Sequence, residues 1–96
     1  MKVIFSKKAF SNLQSEVEFI SRDNPVAAAR FVKRVYEVIE HLKQFPSMGR
    51  AGRIFGTKEL VLNDFPYIIP YRVRGDQIQI IRVFHTARKP FTINEF

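Results

Sequence analysis

Arginine and histidine side chains recur within two apolar segments near the carboxyl end of the chain. Arg72 belongs to the segment YIIPYRV, whereas Arg82 and His85 belong to IQIIRVFH, and Arg88 follows shortly afterwards. Arginine can bind a phosphate or a carboxylate through two hydrogen bonds at once, and histidine changes its charge near neutral pH. These segments therefore predict either a site for an anionic partner or charged residues on the solvated face of a sheet.

A glutamate, an arginine and a histidine that lie close together could cleave RNA without a metal ion. Glu59 or His85 would take the proton of the 2′-hydroxyl group, and Arg82 would stabilise the charge of the phosphorane. The alternative is structural: Arg82 pairs with Glu59 or Asp64 across the sheet, and His85 only hydrogen-bonds the tail. The residue types alone leave both interpretations open.

Two further arginines, Arg50 and Arg53, lie in the segment FPSMGRAGRIFG, whose proline and glycines predict a loop. They either contribute to a binding surface or extend into solvent. Tyr67 and Tyr71 fall inside a predicted strand, and we interpret them as sheet-packing residues rather than as platforms for stacking bases.

No metal site or nucleotide cofactor is expected. The histidines are His41 and His85, which do not have the spacing of paired metal ligands, and His41 falls on the exposed side of a predicted helix. The glycines at positions 49, 52 and 56 do not follow a strand and lack the Lys-Ser/Thr ending of a phosphate-binding loop.

Length and composition predict one basic domain that spans residues 1–96. The formal net charge of +7 favours an acidic partner, either nucleic acid or an acidic protein segment. The absence of cysteine excludes disulfides, thiolate zinc sites and a cysteine nucleophile. The amino-terminal sequence MKVIFSKKAF is not typical of a signal peptide, and no apolar run is long enough to span a membrane, so a cytoplasmic location is expected.

Two helices are predicted in the first half of the chain. Ser6 can cap the first helix, in which apolar residues recur at helical spacing: Ala9, Phe10, Leu13, Val17 and Ile20. Asn24 and Pro25 mark the start of the second helix, which should run to about Gln44. Its inner stripe should contain Ala28, Phe31, Val32, Val35, Val38, Ile39 and Leu42. The short connection between the helices requires an antiparallel pair.

Strands are predicted on both sides of the helical hairpin, over Val3–Phe5, Lys58–Leu62, Tyr67–Val73 and Gln77–Phe84. The last two should form a hairpin that turns at Gly75. Pro70 cannot donate a ladder hydrogen bond, so a bulge or an unpaired edge is expected there. The nearly continuous apolar run IQIIRVF predicts a central strand that is covered on both faces. The order β-αα-βββ defines an α+β domain with a helical hairpin on a small, mostly antiparallel sheet. The polar, aperiodic tail from Thr86 to Phe96 is expected to be mobile in the free protein.

Four segments in order, NPVAAARFVKRVYEVIEHLKQFPSMGRAG, GTKEL, YIIPYRV and IIRVFHTAR, carry a family resemblance. Together they resemble the RelE/ParE superfamily of bacterial type II toxins, and most closely its ParE-like branch. The resemblance implies the same α+β fold. It also implies a cognate antitoxin, whose tail wraps the toxin and covers its basic surface.

The resemblance implies two alternative targets. ParE-like members block DNA gyrase by binding it, whereas RelE-like members cut mRNA in the ribosomal A site. Ribosome-dependent members commonly carry an arginine shortly before a strand tyrosine, and Ile68 or Ile69 occupies that position here. This difference favours the gyrase-binding alternative, in which the toxin needs no catalysis and no cofactor.

The implied site residues depend on the alternative. Glu59 in GTKEL and His85 in FHTAR match positions that can be acid or base residues in RNase members, and with Arg82 they would form the catalytic set of an RNase. ParE-like members carry similar segments. In either case, the residues expected to bind the antitoxin or the target are Arg50, Arg72, Arg82 and Arg88.

Overall fold

The chain folds as a strand, a helical hairpin and then a series of strands, in a computed structural model that describes residues 1–87. This order confirms the predicted α+β fold. The elements are β1 (Lys2–Phe5), α1 (Lys7–Asp23), α2 (Pro25–Gln44), β2 (Arg50–Ala51), β3 (Lys58–Leu62), β4 (Tyr67–Arg74), β5 (Gln77–Ile80) and β6 (Phe84–His85).

Both helices begin at the predicted caps. The Ser6 hydroxyl oxygen accepts a hydrogen bond from the Ala9 amide at 2.9 Å, and the hydroxyl also donates to the Ile81 carbonyl oxygen at 2.7 Å. The start of α1 is therefore tied to the end of β5. The Asn24 side chain accepts from the Ala27 amide at 3.0 Å. Since Asn24 alone separates the two helices, they must fold back on each other as a hairpin.

The sheet has the strand order β1-β5-β4-β3-β2, and β6 pairs with β4. The β1–β5 pair is parallel, and the other pairs are antiparallel. The prediction that IQIIRVF forms the central strand is wrong. The central strand is β4, and its residues from Tyr67 to Tyr71 are all buried, whereas β5 alternates between half-buried and buried residues.

The strand predicted over Gln77–Phe84 is interrupted at residues 81–83. On one side of the interruption β5 pairs with β4, and on the other side β6 pairs with β4. Between the two ladders, residues 81–83 lie opposite only Ile69 and Pro70. The Ile81 amide donates to the Pro70 carbonyl oxygen at 2.9 Å. The predicted bulge at Pro70 is confirmed, because proline cannot supply the amide that an uninterrupted ladder requires.

The core lies between the helical hairpin and one face of the sheet. The Phe31 ring packs against the rings of Phe65 and Tyr67, at centroid distances of 5.4 Å and 4.7 Å. Around it are fully buried aliphatic residues from α2 and the central strands: Leu42, Ile69, Ile78 and Ile80. Val32, which the sequence places on the inner stripe of α2, is 45% exposed.

Tyr71 of β4 fixes the chain that leaves α2. Its hydroxyl donates a hydrogen bond to the Pro46 carbonyl oxygen at 2.8 Å and accepts one from the Gly49 amide at 2.9 Å. The approach is so close that a Cβ atom at Gly49 would lie 2.7 Å from Cε1 of Tyr71. Glycine is therefore required at position 49 for steric reasons.

We expect Tyr71→Phe to lower the free energy of unfolding by about 1–3 kcal/mol, because the substitution leaves the Gly49 amide and the Pro46 carbonyl without their partner. Burial raises the pKa of Tyr71 above its ordinary value of 10.0, against the opposing effect of the Gly49 hydrogen bond. The unfolded chain therefore ionises first as the pH rises. The stability that this difference provides is complete below pH 10.0 and is lost above it.

Urea unfolding of the wild-type protein and Tyr71→Phe, at neutral pH and on both sides of pH 10.0, measures both effects. The variant should lose less stability than the wild type between the two alkaline conditions. Equal losses would show that Tyr71 does not contribute to the alkaline transition.

Candidate functional site

The sheet face opposite the helices carries part of the predicted basic surface. Leu60 points into the core, so its neighbour Glu59 points to the opposite face. Glu59 is paired with Pro70 on β4 and with Arg50 on β2, and paired residues share a face. Arg72, two residues after Pro70, lies on this face as well. We call this sheet face, opposite the helices, the open face.

Glu59 is the most constrained charged residue of the open face, since its side chain is only 1% exposed. Its Oε1 atom accepts hydrogen bonds from Nε and Nη2 of Arg50, at 3.2 Å and 3.0 Å. Its Oε2 atom accepts one from the Arg53 backbone amide at 3.2 Å and lies 3.7 Å from Nε of Arg53. We call this group, Arg50, Arg53 and Glu59, the Glu59 clamp. It holds β2 and the start of the loop between β2 and β3 against Glu59 of β3.

The loop that follows Arg53 is a tight turn. The Thr57 amide and hydroxyl both donate to the Ile54 carbonyl oxygen, at 3.1 Å and 2.6 Å, and the Gly52 amide donates to the Thr57 carbonyl oxygen at 2.9 Å. Gly56 adopts a φ of 82°, which favours glycine. At the tip of the turn, the side chain of Phe55 is fully exposed.

Arg72 lies in a groove between this turn and β1. Its Nε atom donates to Oε1 of Gln79 at 2.7 Å, so the side chain is held along the open face. The groove has a volume of about 730 Å³, and its walls include Ile4 on one side and Phe55 on the other. Arg74, the last residue of β4, also lines it.

Arg82 lies elsewhere, in the interruption between β5 and β6. Its Nε atom donates to Oδ1 of Asn12 on α1 at 2.7 Å, and its guanidinium carbon lies 4.6 Å from the centroid of the Phe84 ring. The alternative in which Arg82 pairs with Glu59 or Asp64 is therefore wrong. Glu59 is bound by the clamp, and Asp64 pairs with Arg34 at 3.1 Å. The same Asn12 oxygen also accepts from the backbone of Val83, which stabilises the interruption.

His85 lies on the side of the sheet that faces the helices. Its ring packs edge-on against Tyr67 at a centroid distance of 5.0 Å, and its Nδ1 atom accepts a hydrogen bond from the Ala87 amide at 3.1 Å. Tyr67 belongs to the core, whereas Glu59 belongs to the open face. The structure thus places the three residues of the predicted catalytic set, Glu59, Arg82 and His85, in three different environments.

Sequence reasoning missed one buried polar pair. The Tyr67 hydroxyl donates a hydrogen bond to Oε1 of Glu16 at 2.7 Å, and Glu16 is 9% exposed. Helical spacing would have found it, because Glu16 follows Leu13 by three residues on the inner side of α1. The exposure of Phe55 was also missed, since a phenylalanine beside a glycine in a loop gives no signal for the direction in which the loop turns.

Several predictions concern the end of the chain. Arg88 and the rest of the tail to Phe96 lie outside the residues that the structure describes. Thr86, where the predicted mobile segment begins, donates its amide to the Pro66 carbonyl oxygen at 2.8 Å. Within residues 1–87, no cluster of three potential metal ligands is present, and neither helix is long and apolar enough to cross a membrane.

Comparison with known proteins identifies the family. The family model described as "ParE toxin of type II toxin-antitoxin system, parDE" matches residues 3–90. The chain belongs to the ParE toxin family. It is therefore the toxin component of a type II toxin–antitoxin system, and its family membership implies a cognate antitoxin as a partner.

Relatives of this ParE-family toxin support the assignment. It is 42% identical over 88 residues to "Putative toxin Y4kP" of Sinorhizobium fredii, with 92% of this chain and 91% of the relative covered. It is 30% identical over 87 residues to toxin RelE2 of Caulobacter vibrioides, with coverage of 91% and 97%.

Solved structures share the fold of this ParE-family toxin. The structure "Chromosomal ParDE TA system from P. aeruginosa" matches with a TM-score of 0.80 and 27% identity, and the match covers 88% of this chain and 95% of that one. The YoeB/ParE toxin from Agrobacterium tumefaciens matches with a TM-score of 0.60 and 20% identity over 88% and 98% of the two chains, which is a likeness of fold.

We expect Glu59→Gln to lower the free energy of unfolding of the toxin by about 1–3 kcal/mol, because the buried end of a charge-assisted network loses its charge. This loss of unfolding free energy should be smaller than the loss on breaking a fully buried ion pair, because Arg50 and Arg53 are 55% and 49% exposed and can be solvated. Asp64→Asn is the matched control. It removes the charge of an exposed pair with Arg34 and should cost about 1 kcal/mol or less.

Thermal unfolding of both variants by circular dichroism measures the difference. If Glu59→Gln destabilises the protein no more than Asp64→Asn does, the Glu59 clamp does not stabilise the fold.

Proposed function

We propose that this toxin inhibits DNA gyrase by binding it, and that its cognate antitoxin neutralises it by covering its basic surface. The observation that supports binding over catalysis is the separation of Glu59, Arg82 and His85. Metal-free RNA cleavage needs an acid, a base and a cation within reach of one phosphate. Here both carboxylate oxygens of Glu59 are occupied by the clamp, on the sheet face opposite the face on which His85 lies.

The central strand supports the same proposal. Ile68 and Ile69 are 3% and 0% exposed, at the position where ribosome-dependent toxins commonly carry an arginine. Buried isoleucines cannot contact RNA. The RelE-like alternative, a ribosome-dependent mRNA endonuclease, would therefore have to act without this arginine and without an available Glu59.

The antitoxin part of the proposal rests on charge. The toxin carries a formal net charge of +7, and an acidic segment would be attracted to it over about 8–10 Å at physiological ionic strength. Arg50 and Arg72 lie on the open face, Arg82 lies beside α1, and Arg88 follows the described residues. An antitoxin tail that contacts all four would have to extend around the toxin. Both candidate targets are cytoplasmic, so the proposed place of action is the cytoplasm.

Expression in a bacterial host separates the two targets. Inhibition of gyrase should cause filamentation and induce the DNA-damage response, and the purified toxin should inhibit supercoiling by purified gyrase. Rapid translation arrest with codon-positioned cuts in mRNA, and no effect on supercoiling, would contradict the proposal and support the endonuclease alternative. Normal growth with folded toxin present would contradict both.

Replacing three of the four basic-surface arginines with alanine, one at a time, tests the antitoxin site. Arg72→Ala, Arg82→Ala and Arg88→Ala should each weaken antitoxin binding by about 1.5–3 kcal/mol where the pair is desolvated, and by about 1 kcal/mol or less where it is exposed. Association of the wild-type toxin should slow as salt is added, because steering is electrostatic.

Arg30→Ala is the control for this experiment. Arg30 is exposed on α2, and no ion pair involves it among the described residues. Arg34 is a poor control because it pairs with Asp64. Antitoxin affinity is measured at low and high salt, with folding checked by circular dichroism. Equal effects of the control and of the three test variants would show that these arginines do not form the antitoxin site.

A further inference from the structure

The groove on the open face combines an apolar wall with two available cations. We call it the sheet groove and define it by Ile4, Ile54, Phe55, Arg72 and Arg74. Its volume of about 730 Å³ suits a few side chains of a partner segment. Aromatic residues and arginines are enriched in protein–protein interfaces relative to the rest of the surface.

Phe55 is the unusual member of the sheet groove because its side chain is fully exposed while hydrogen bonds hold the loop around it. A phenylalanine in solvent forfeits the burial energy that a core aromatic residue such as Phe31 gains. Its loop does not need a partner to become ordered, since the hydrogen bonds of Ile54, Thr57 and the Glu59 clamp lie within the toxin. The loop that carries the aromatic ring is therefore ordered before any partner binds. Binding would not have to offset the entropy of ordering this loop.

The charges of the sheet groove indicate the chemistry of its occupant. Among residues 1–87, neither Arg72 nor Arg74 has a carboxylate partner, and the hydrogen bond of Arg72 goes to the neutral side chain of Gln79. An occupant with carboxylates would meet both guanidinium groups. A second copy of this chain is disfavoured, because each copy carries a net charge of +7.

We propose that the sheet groove docks a segment of the toxin's protein target, in which an apolar side chain packs on Phe55 and carboxylates bind Arg72 and Arg74. The inference rests on that part of the proposed function in which the toxin acts by binding a protein. A target site must be complete in the free toxin, because the toxin acts after the antitoxin has left. The Glu59 clamp and the tight turn provide such a site without any partner.

Phe55→Ala is the decisive variant, because the side chain is exposed and its removal leaves the core intact. Expressed in a bacterial host at equal protein level, Phe55→Ala should arrest growth at least about tenfold less effectively than the wild type, as expected for the loss of a hot-spot aromatic. Tyr36→Ala is the matched control: this aromatic residue is 67% exposed on α2, in the layer opposite the sheet groove. It should arrest growth as the wild type does.

Two measurements with purified proteins identify the occupant. The affinity of Phe55→Ala for the antitoxin should stay within about threefold of the wild-type affinity, whereas the toxin concentration that half-inhibits gyrase should rise about tenfold or more. Arg74→Gln should shift the same concentration in the same direction, and Arg30→Gln should not.

The outcomes separate this inference from the proposed function. If wild-type toxin leaves gyrase active but Phe55→Ala still relieves growth arrest without any change in mRNA cleavage, gyrase is the wrong target and the docking groove stands. If Phe55→Ala is as toxic as the wild type, the inference is wrong. The inference is also wrong if the variant loses antitoxin affinity but stays toxic. A reduced toxicity that accompanies a loss of mRNA cleavage would likewise contradict it, because the sheet groove would then be an RNA site.

Discussion

The buried carboxylate of Glu59 is the interaction on which the arrangement of the open face depends. Two guanidinium groups and one backbone amide converge on its two oxygens. These donors come from β2 and from the loop after it, so one side chain fixes the register of β2 against β3 and the exit direction of the loop. Tyr71 fixes the chain just before β2. Together, Glu59 and Tyr71 fix the path of the segment between α2 and β3, which contributes no residue to the hydrophobic core.

Such local anchoring is needed because residues 1–87 provide a single layer of helices. The hairpin of α1 and α2 covers one face of the sheet, and its burial of Phe31, Leu42 and the inner residues of β3, β4 and β5 forms the core. No second layer of helices covers the other face within residues 1–87. Polar contacts such as the Glu59 clamp hold the loop that lies on the open face, and its arginines and the groove stay accessible. The coverage of one sheet face by helices, and not of the other, within residues 1–87 accounts for both the modest core and the available binding surface.

Features that depend on neighbouring residues were predictable from the sequence. Capping by Ser6 and Asn24 and the bulge at Pro70 follow from short-range chemistry, and the structure confirms them. The order of the strands was not predictable in this way, because YIIPY and IQIIRVF are both apolar runs and long-range pairing decides which is central. The burial of Glu59 was hidden as well. Alternation places it on the face opposite Leu60, where a charged residue normally reaches solvent, and only the path of the loop before β3 covers it.

The separation of Glu59 from His85 shows why matching residue types are weak evidence for catalysis in this fold. A glutamate can act as a base only if an oxygen faces the substrate, and here each oxygen is already an acceptor within the protein. The same carboxylate that an RNase would use for proton transfer instead positions a loop. That loop carries an exposed aromatic ring and borders two cations. Such a surface fits the proposed function, in which the toxin recognises another macromolecule through complementary shape and charge.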